Sequence, residues 1–161
     1  MTDVAETAKD EIVEQSIDDI IKDIDVKFFE KYEKVKSEAE QAVLYKRDED
    51  LDIQIINCHS AAMRFTDRHA YEKHLYFRLK AKFERIYAEE VENAKRNPLM
   101  LRTTSELDGF VIRSNRIAKA KAILQNQLEL VEYLQSVLDL LKSKRFDLKT
   151  IADIKKSENG R

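Results

Sequence analysis

Four cations fall within the ten positions of RLKAKFERIY, residues 78–87: Arg78, Lys80, Lys82 and Arg85, in company with Leu79, Phe83, Ile86 and Tyr87. Lysine and arginine neutralise phosphates, and aromatic rings can stack on unpaired bases. The basic stretch reaches upstream. Residues 64–85 hold Arg64, Arg68, Lys73, Arg78, Lys80, Lys82 and Arg85 against Asp67, Glu72 and Glu84, with Tyr71, Tyr76 and Phe77 interleaved. At about 100° per residue, Leu75, Leu79, Phe83 and Ile86 form a narrow helical stripe. Arg78, Lys82 and Arg85 line one flank of it, Lys73 and Lys80 the other, and Phe77 lies far from it. Lys80 and Lys82 stand about 160° apart, so a strand touching both must lie in a groove or between subunits. The same pattern fits an ordinary helix whose cationic stems lie over a packed stripe. No recognition-helix motif or zinc finger is present, so binding to nucleic acid would be to the backbone and independent of base sequence.

More specific chemistry finds no support. None of His59, His69 and His74 has a glutamate three positions before it, as a helical di-iron site needs. HExxH and EF-hand patterns are absent, one cysteine cannot build a zinc site, and there is no glycine-rich phosphate loop. Cys58 and His59 are adjacent, but neighbours on a helix point about 100° apart and do not face each other. The expectation is a protein that is not an enzyme and carries no metal or cofactor.

The elements that must position the basic stretch are helical. The chain of 161 residues has two glycines, Gly109 and Gly160, and one proline, Pro98, too few for a strand-rich fold. Ile12, Val13, Ile17, Ile20, Ile21 and Ile24 recur at helical spacing and open an amphipathic helix that continues to about residue 46, with a break expected at DEDLD, residues 48–52. A long helix follows from Ile53 to about Lys95. Pro98 ends it, and Thr103 with Glu106 fits a capping box for a short helix. Ser114 or Asn115 caps the next. In residues 115–144, Ile117, Leu124, Val131 and Leu138 form one seven-residue series and Ala120, Gln127, Leu134 and Leu141 a second; Ile123, Leu130 and Val137 widen the stripe. That width suits a bundle or an oligomer, and Gln127 could set register. SKRFD breaks the pattern, and Asp147 is expected to cap a separate last helix from Leu148 to about Lys156. The predicted class is all-α, a helical hairpin or bundle of long amphipathic helices.

Charge divides the chain. Residues 1–50 carry 16 acids and 8 bases; residues 51–161 carry 15 acids and 21 bases. This marks an acidic N-terminal helical arm, 1–50, and a basic body, 51–161, that binds a polyanion or a partner. Two smaller basic groups join it: Arg113, Arg116, Lys119 and Lys121, and then Lys142, Lys144, Arg145 and Lys149, the last set expected at a helix C-terminus. A lone thiol, an acidic start and no long apolar run fit a cytoplasmic protein without a membrane span.

LVEYLQSVLDLLKSKRFDLKTIADIKK, residues 130–156, resembles the end of UvsY-like recombination mediator proteins of tailed phages, where a long helix closes in a turn and a short amphipathic helix follows. TTSELDGFVIRSN, residues 103–115, is similar to the family segment leading into that helix, and Leu79-Lys80-Ala81-Lys82 to the family's basic Leu-Lys-Ala-Arg motif. Lys82 stands where the family has arginine, and Arg145 where it has glycine. The resemblance implies a non-enzymatic mediator that binds single-stranded DNA as a ring-like homo-oligomer. Such a protein displaces the phage single-strand-binding protein and loads a RecA-like recombinase in the cytoplasm of the infected bacterial host. It assigns Lys80 and Lys82 to DNA, with Arg78, Arg85 and Lys73 beside them. Self-association falls to the C-terminal stripe of Leu124, Val131, Leu134, Leu138 and Leu141. The alternative is a helical scaffold or adaptor that binds proteins rather than DNA.

Overall fold

The computed structural model describes residues 17–46, 49–96 and 103–159. Among these there are four helices and no strand: α1 (Ile17–Val43), α2 (Leu51–Lys95), α3 (Thr104–Ile112) and α4 (Asn115–Asn159). The expected helix start at Ile12 lies outside the described residues. The first break falls at 44–50, where the Asp50 carboxylate accepts the Asp52 amide at 2.8 Å and starts α2. Gln54 closes this connection by donating to the Lys46 and Glu49 carbonyls at 2.7 and 2.8 Å. α2 ends before Pro98 as expected. The Thr103–Glu106 capping box forms in full, and the Ser114 carbonyl takes the Ala118 amide at the start of α4.

The C-terminal end differs from expectation. α4 runs unbroken through SKRFD, so there is no separate helix from Leu148, and Asp147 accepts the Tyr45 hydroxyl at 2.9 Å instead of capping. The reason is local. No glycine or proline lies between Asn115 and Asn159, and Arg145 does not favour the left-handed backbone that stops a helix. Leu141, Lys144 and Leu148 moreover continue the inward face across the expected break.

α2 and α4, each 45 residues and so about 67 Å long, pack antiparallel. Glu72 meets Gln127, and Cys58 meets Leu141. α1 lies along both. It runs with α4, tied by Asp25–Asn126 and Tyr45–Asp147, and against α2, tied by Lys31–Glu72 and Glu38–Arg68. All three helices feed one core: Val35 and Ala39 from α1; Cys58, Ala61 and Phe65 from α2; Leu130, Leu134, Val137, Leu138, Leu141 and Leu148 from α4. Each fully buried leucine stabilises the bundle by about 1.5–3 kcal/mol. The charge boundary at residue 50 is therefore not a packing boundary. A smaller cluster of Ala94, Val111 and Ile117, flanked by Phe83, Ile86 and Leu107, fastens α3 to the far end of α2 and the start of α4.

Candidate nucleic-acid interface

The basic stretch lies on one uninterrupted helix, so its side chains keep fixed relative directions. Leu75, Leu79, Phe83 and Ile86 are half-buried, and Ile86 and Phe83 pack on the α3 cluster. Lys73, Arg78, Lys80, Lys82 and Arg85 are all exposed. Among the described residues, Lys73, Arg78, Lys80 and Lys82 take part in no ion pair, whereas Arg85 is held by Glu89 at 3.1 Å. Unpaired cations can exchange counterions for phosphates without first breaking a protein contact.

Helix geometry places them on two sides of α2. Arg68 reaches Glu38 at 2.8 Å and so marks the side facing α1. Lys82 is fourteen residues further on and returns to within about 40° of that direction. Arg78 shares its side, while Lys73 and Lys80 point away from α1. The structure thus keeps Lys80 and Lys82 apart.

Several other charges are engaged. Glu89 accepts from Arg116 at 2.8 Å as well as from Arg85, and these hydrogen bonds hold its carboxyl below the usual range. Arg116 also reaches Glu90 at 3.4 Å. Glu72, counted among the surface acids of the stretch, is only 3% exposed. It accepts from Lys31 at 2.8 Å and from Gln127 at 2.8 Å, linking all three long helices. Its spacing gave a signal: it falls in phase with Leu75 and Leu79. Its inward position makes the outer surface of α2 more positive than the sequence count.

The third basic group is not at a helix end. Lys142 pairs with Asp139 at 3.0 Å. Lys144, 7% exposed, donates to the Ala42 and Leu44 carbonyls at 3.0 and 2.7 Å, so it caps α1 rather than its own helix. Burial lowers its pKa from the ordinary lysine value. Lys144 also sits 5.3 Å from the Tyr45 ring centroid.

The residues assigned to self-association are internal. Leu134, Leu138 and Leu141 are buried in the core shared with α1 and α2, Val131 is also buried, and Leu124 is half-buried. From Lys149 to Glu158, by contrast, only Ala152 is not exposed. Ile151 and Ile154 present large apolar side chains there, and Leu140, exposed further up α4, lies on the same side of the helix. Cys58 is buried, with Sγ 3.4 Å from the Leu141 carbonyl, and burial raises its thiol pKa; His59 is exposed. No cluster of metal-ligating side chains and no helix long and apolar enough to cross a membrane occurs among the described residues.

Comparison with known proteins agrees with the geometry. The family model described as "Recombination, repair and ssDNA binding protein UvsY" matches residues 14–161. Two crystal structures of the recombination mediator protein UvsY of bacteriophage T4 share the fold. One aligns with a TM-score of 0.69 at 18% identity over 78% of this chain and 97% of the T4 chain. The other aligns with a TM-score of 0.66 at 18% identity, over 79% and 96%. A search among curated proteins finds no match.

Proposed function

The chain belongs to the UvsY family, and from that premise we propose that it is a recombination mediator. It binds single-stranded DNA without sequence specificity and loads a RecA-like phage recombinase onto strands covered by single-strand-binding protein. The observation that carries the DNA reading is the set of exposed cations on the two sides of α2 that make no ion pair among the described residues: Lys73, Arg78, Lys80 and Lys82. A handful of phosphate contacts per subunit binds weakly and salt-sensitively. Assembly into a ring-like homo-oligomer repeats the patch, so one strand meets many copies and avidity rises. Because the Val131–Leu141 stripe is occupied inside the protomer, assembly uses the exposed apolar residues on another side of the same helix, Leu140, Ile151 and Ile154. The protein works by holding and bending DNA, in the cytoplasm of the infected host, and not by catalysis. Cys58, the one thiol of the chain, is buried with its pKa raised, which argues against its use as a nucleophile.

The test is single-strand affinity against salt for Lys80→Ala/Lys82→Ala, with solution mass measured separately. The double variant should bind more weakly, and its salt slope should fall by about 1.4, since each phosphate contact contributes about 0.7 on single strands. Unchanged affinity and slope would remove this patch from the interface. A scaffold that binds proteins instead would show no preference for single over double strands.

A further inference from the structure

We propose that Tyr71 is a base-stacking residue, set in a cationic ridge on the α1 side of α2 that also uses Arg64, Arg78, Lys82 and Lys34. The ridge rests on the single-strand-binding reading. It adds which side of α2 the strand follows, and that bases are held as well as phosphates.

Tyr71 is 66% exposed. Among the described residues no other ring and no hydrogen-bonding group is paired with it. Arg64 and Arg78 stand seven residues before and after it, and a heptad step drifts by only about 20° on a straight helix. Lys82, eleven residues on, returns to within about 20° of the same face. Arg64, Arg78 and Lys82 are exposed and make no ion pair among the described residues. An aromatic ring is thus set between unpaired cations along about 27 Å of rigid helix. A single strand with bases turned to the protein and phosphates beside it has that alternation of chemistry.

The neighbouring helix adds to the same side. Lys31–Glu72 and Glu38–Arg68 fix the register of α1 on α2, which brings Lys34, also exposed and unpaired, level with Tyr71. Beyond Arg64 the ridge opens into a groove of about 810 Å³ whose lining carries Arg64 together with the pairs Arg68–Glu38 and Lys46–Glu49. Phe77 is the other exposed aromatic of the stretch, but its ring already rests 5.6 Å from that of Tyr76. Glu84 lies about 20° off its line, whereas on the Tyr71 side the exposed carboxylate, Asp67, lies about 40° off and is outnumbered by Arg64, Arg78 and Lys82.

Stacking and phosphate neutralisation leave different signatures, because only the second releases counterions. Tyr71→Ala, Tyr71→Phe and Arg78→Ala are compared with the unaltered chain by fluorescence anisotropy on a labelled single-stranded oligonucleotide. The measurement spans a range of salt, with a duplex control, a urea midpoint and a solution mass for each variant. Tyr71→Ala should weaken single-strand binding by about 5- to 150-fold without changing the salt slope, and should narrow the preference over duplex. Tyr71→Phe should retain binding, and Arg78→Ala should lower the slope by about 0.7. Wild-type affinity in Tyr71→Ala, while Arg78→Ala weakens binding, would overturn the stacking role and leave the basic interface standing. A changed mass in Tyr71→Ala would assign the ring to a subunit contact and overturn it as well. No strand binding by the unaltered chain would remove both the ridge and the reading beneath it.

Discussion

Glu72 and Cys58 show how far a residue's role depends on what faces it. Glu72 is tolerated in the interior because Lys31 and Gln127 each donate to it, and a buried polar group left without its partner is expensive. Glu72→Ala should lower stability by about 1–3 kcal/mol, read as a drop in the urea midpoint. The loss stays in that range because Lys31 is half-exposed and can turn its charge to water. An unchanged midpoint would mean that the link between the three helices contributes nothing net. Cys58 carries the opposite expectation, of silence. Its thiol is buried and held above its ordinary pKa, so it should resist alkylation at neutral pH in the native protein and react once urea unfolds the chain. Rapid native labelling would mean that this part of the core opens readily. The Glu72 position was legible from its phase with Leu75 and Leu79. Its partners were not, because both lie on other helices.

At the scale of elements, α4 departs most from what its sequence suggested. The SKRFD stretch interrupts the apolar pattern, yet an interrupted pattern ends a helix only when the backbone also has a reason to turn. Arg145 supplies none, and Leu141, Lys144 and Leu148 hold the inward face across it. Lys144 reads as a break in an apolar series but caps the end of α1. If continuity depends on residue 145 favouring helix, Arg145→Gly should lower stability by about 1 kcal/mol and Arg145→Pro by about 3. Thermal unfolding followed by circular dichroism measures both. Equal melting for all three chains would show that the helix is not continuous there in solution. The start of α3 was readable because Thr103 caps it through a neighbour in sequence, whereas α2 begins at Leu51, two residues before the expected Ile53, on a cap at Asp50 that the spacing of apolar residues does not reveal.

The whole molecule separates two roles that one apolar stripe could have served. Leu134 belongs to the core of the protomer, so Leu134→Ala should cost about 2–5 kcal/mol and appear as a lower urea midpoint. Ile151→Asp/Ile154→Asp alters an end of α4 where nearly every side chain meets water. It should lower the solution mass while leaving the midpoint in place. If the second variant keeps its mass, assembly runs through another surface. The same arrangement bears on DNA binding. Three long helices fixed in register give α2 a side along α1 and a side away from it, and the basic residues are divided between them.

The sequence by itself determined the all-helical class, the long α2, the start of α4 and the capping box at Thr103, because these follow from near-neighbour spacing, two glycines and one proline. It also determined that α2 is basic on both flanks of an apolar stripe, since a helix fixes relative directions. Tertiary structure alone decided which cations remain free. Arg68, Lys31 and Lys144 are neutralised or enclosed by residues some 30 to 100 positions away, and no spacing along one helix encodes such a meeting. It likewise decided that the C-terminal stripe faces inward. An apolar face specifies that it will be covered, and only the packing of α1 and α2 against α4 specifies by what.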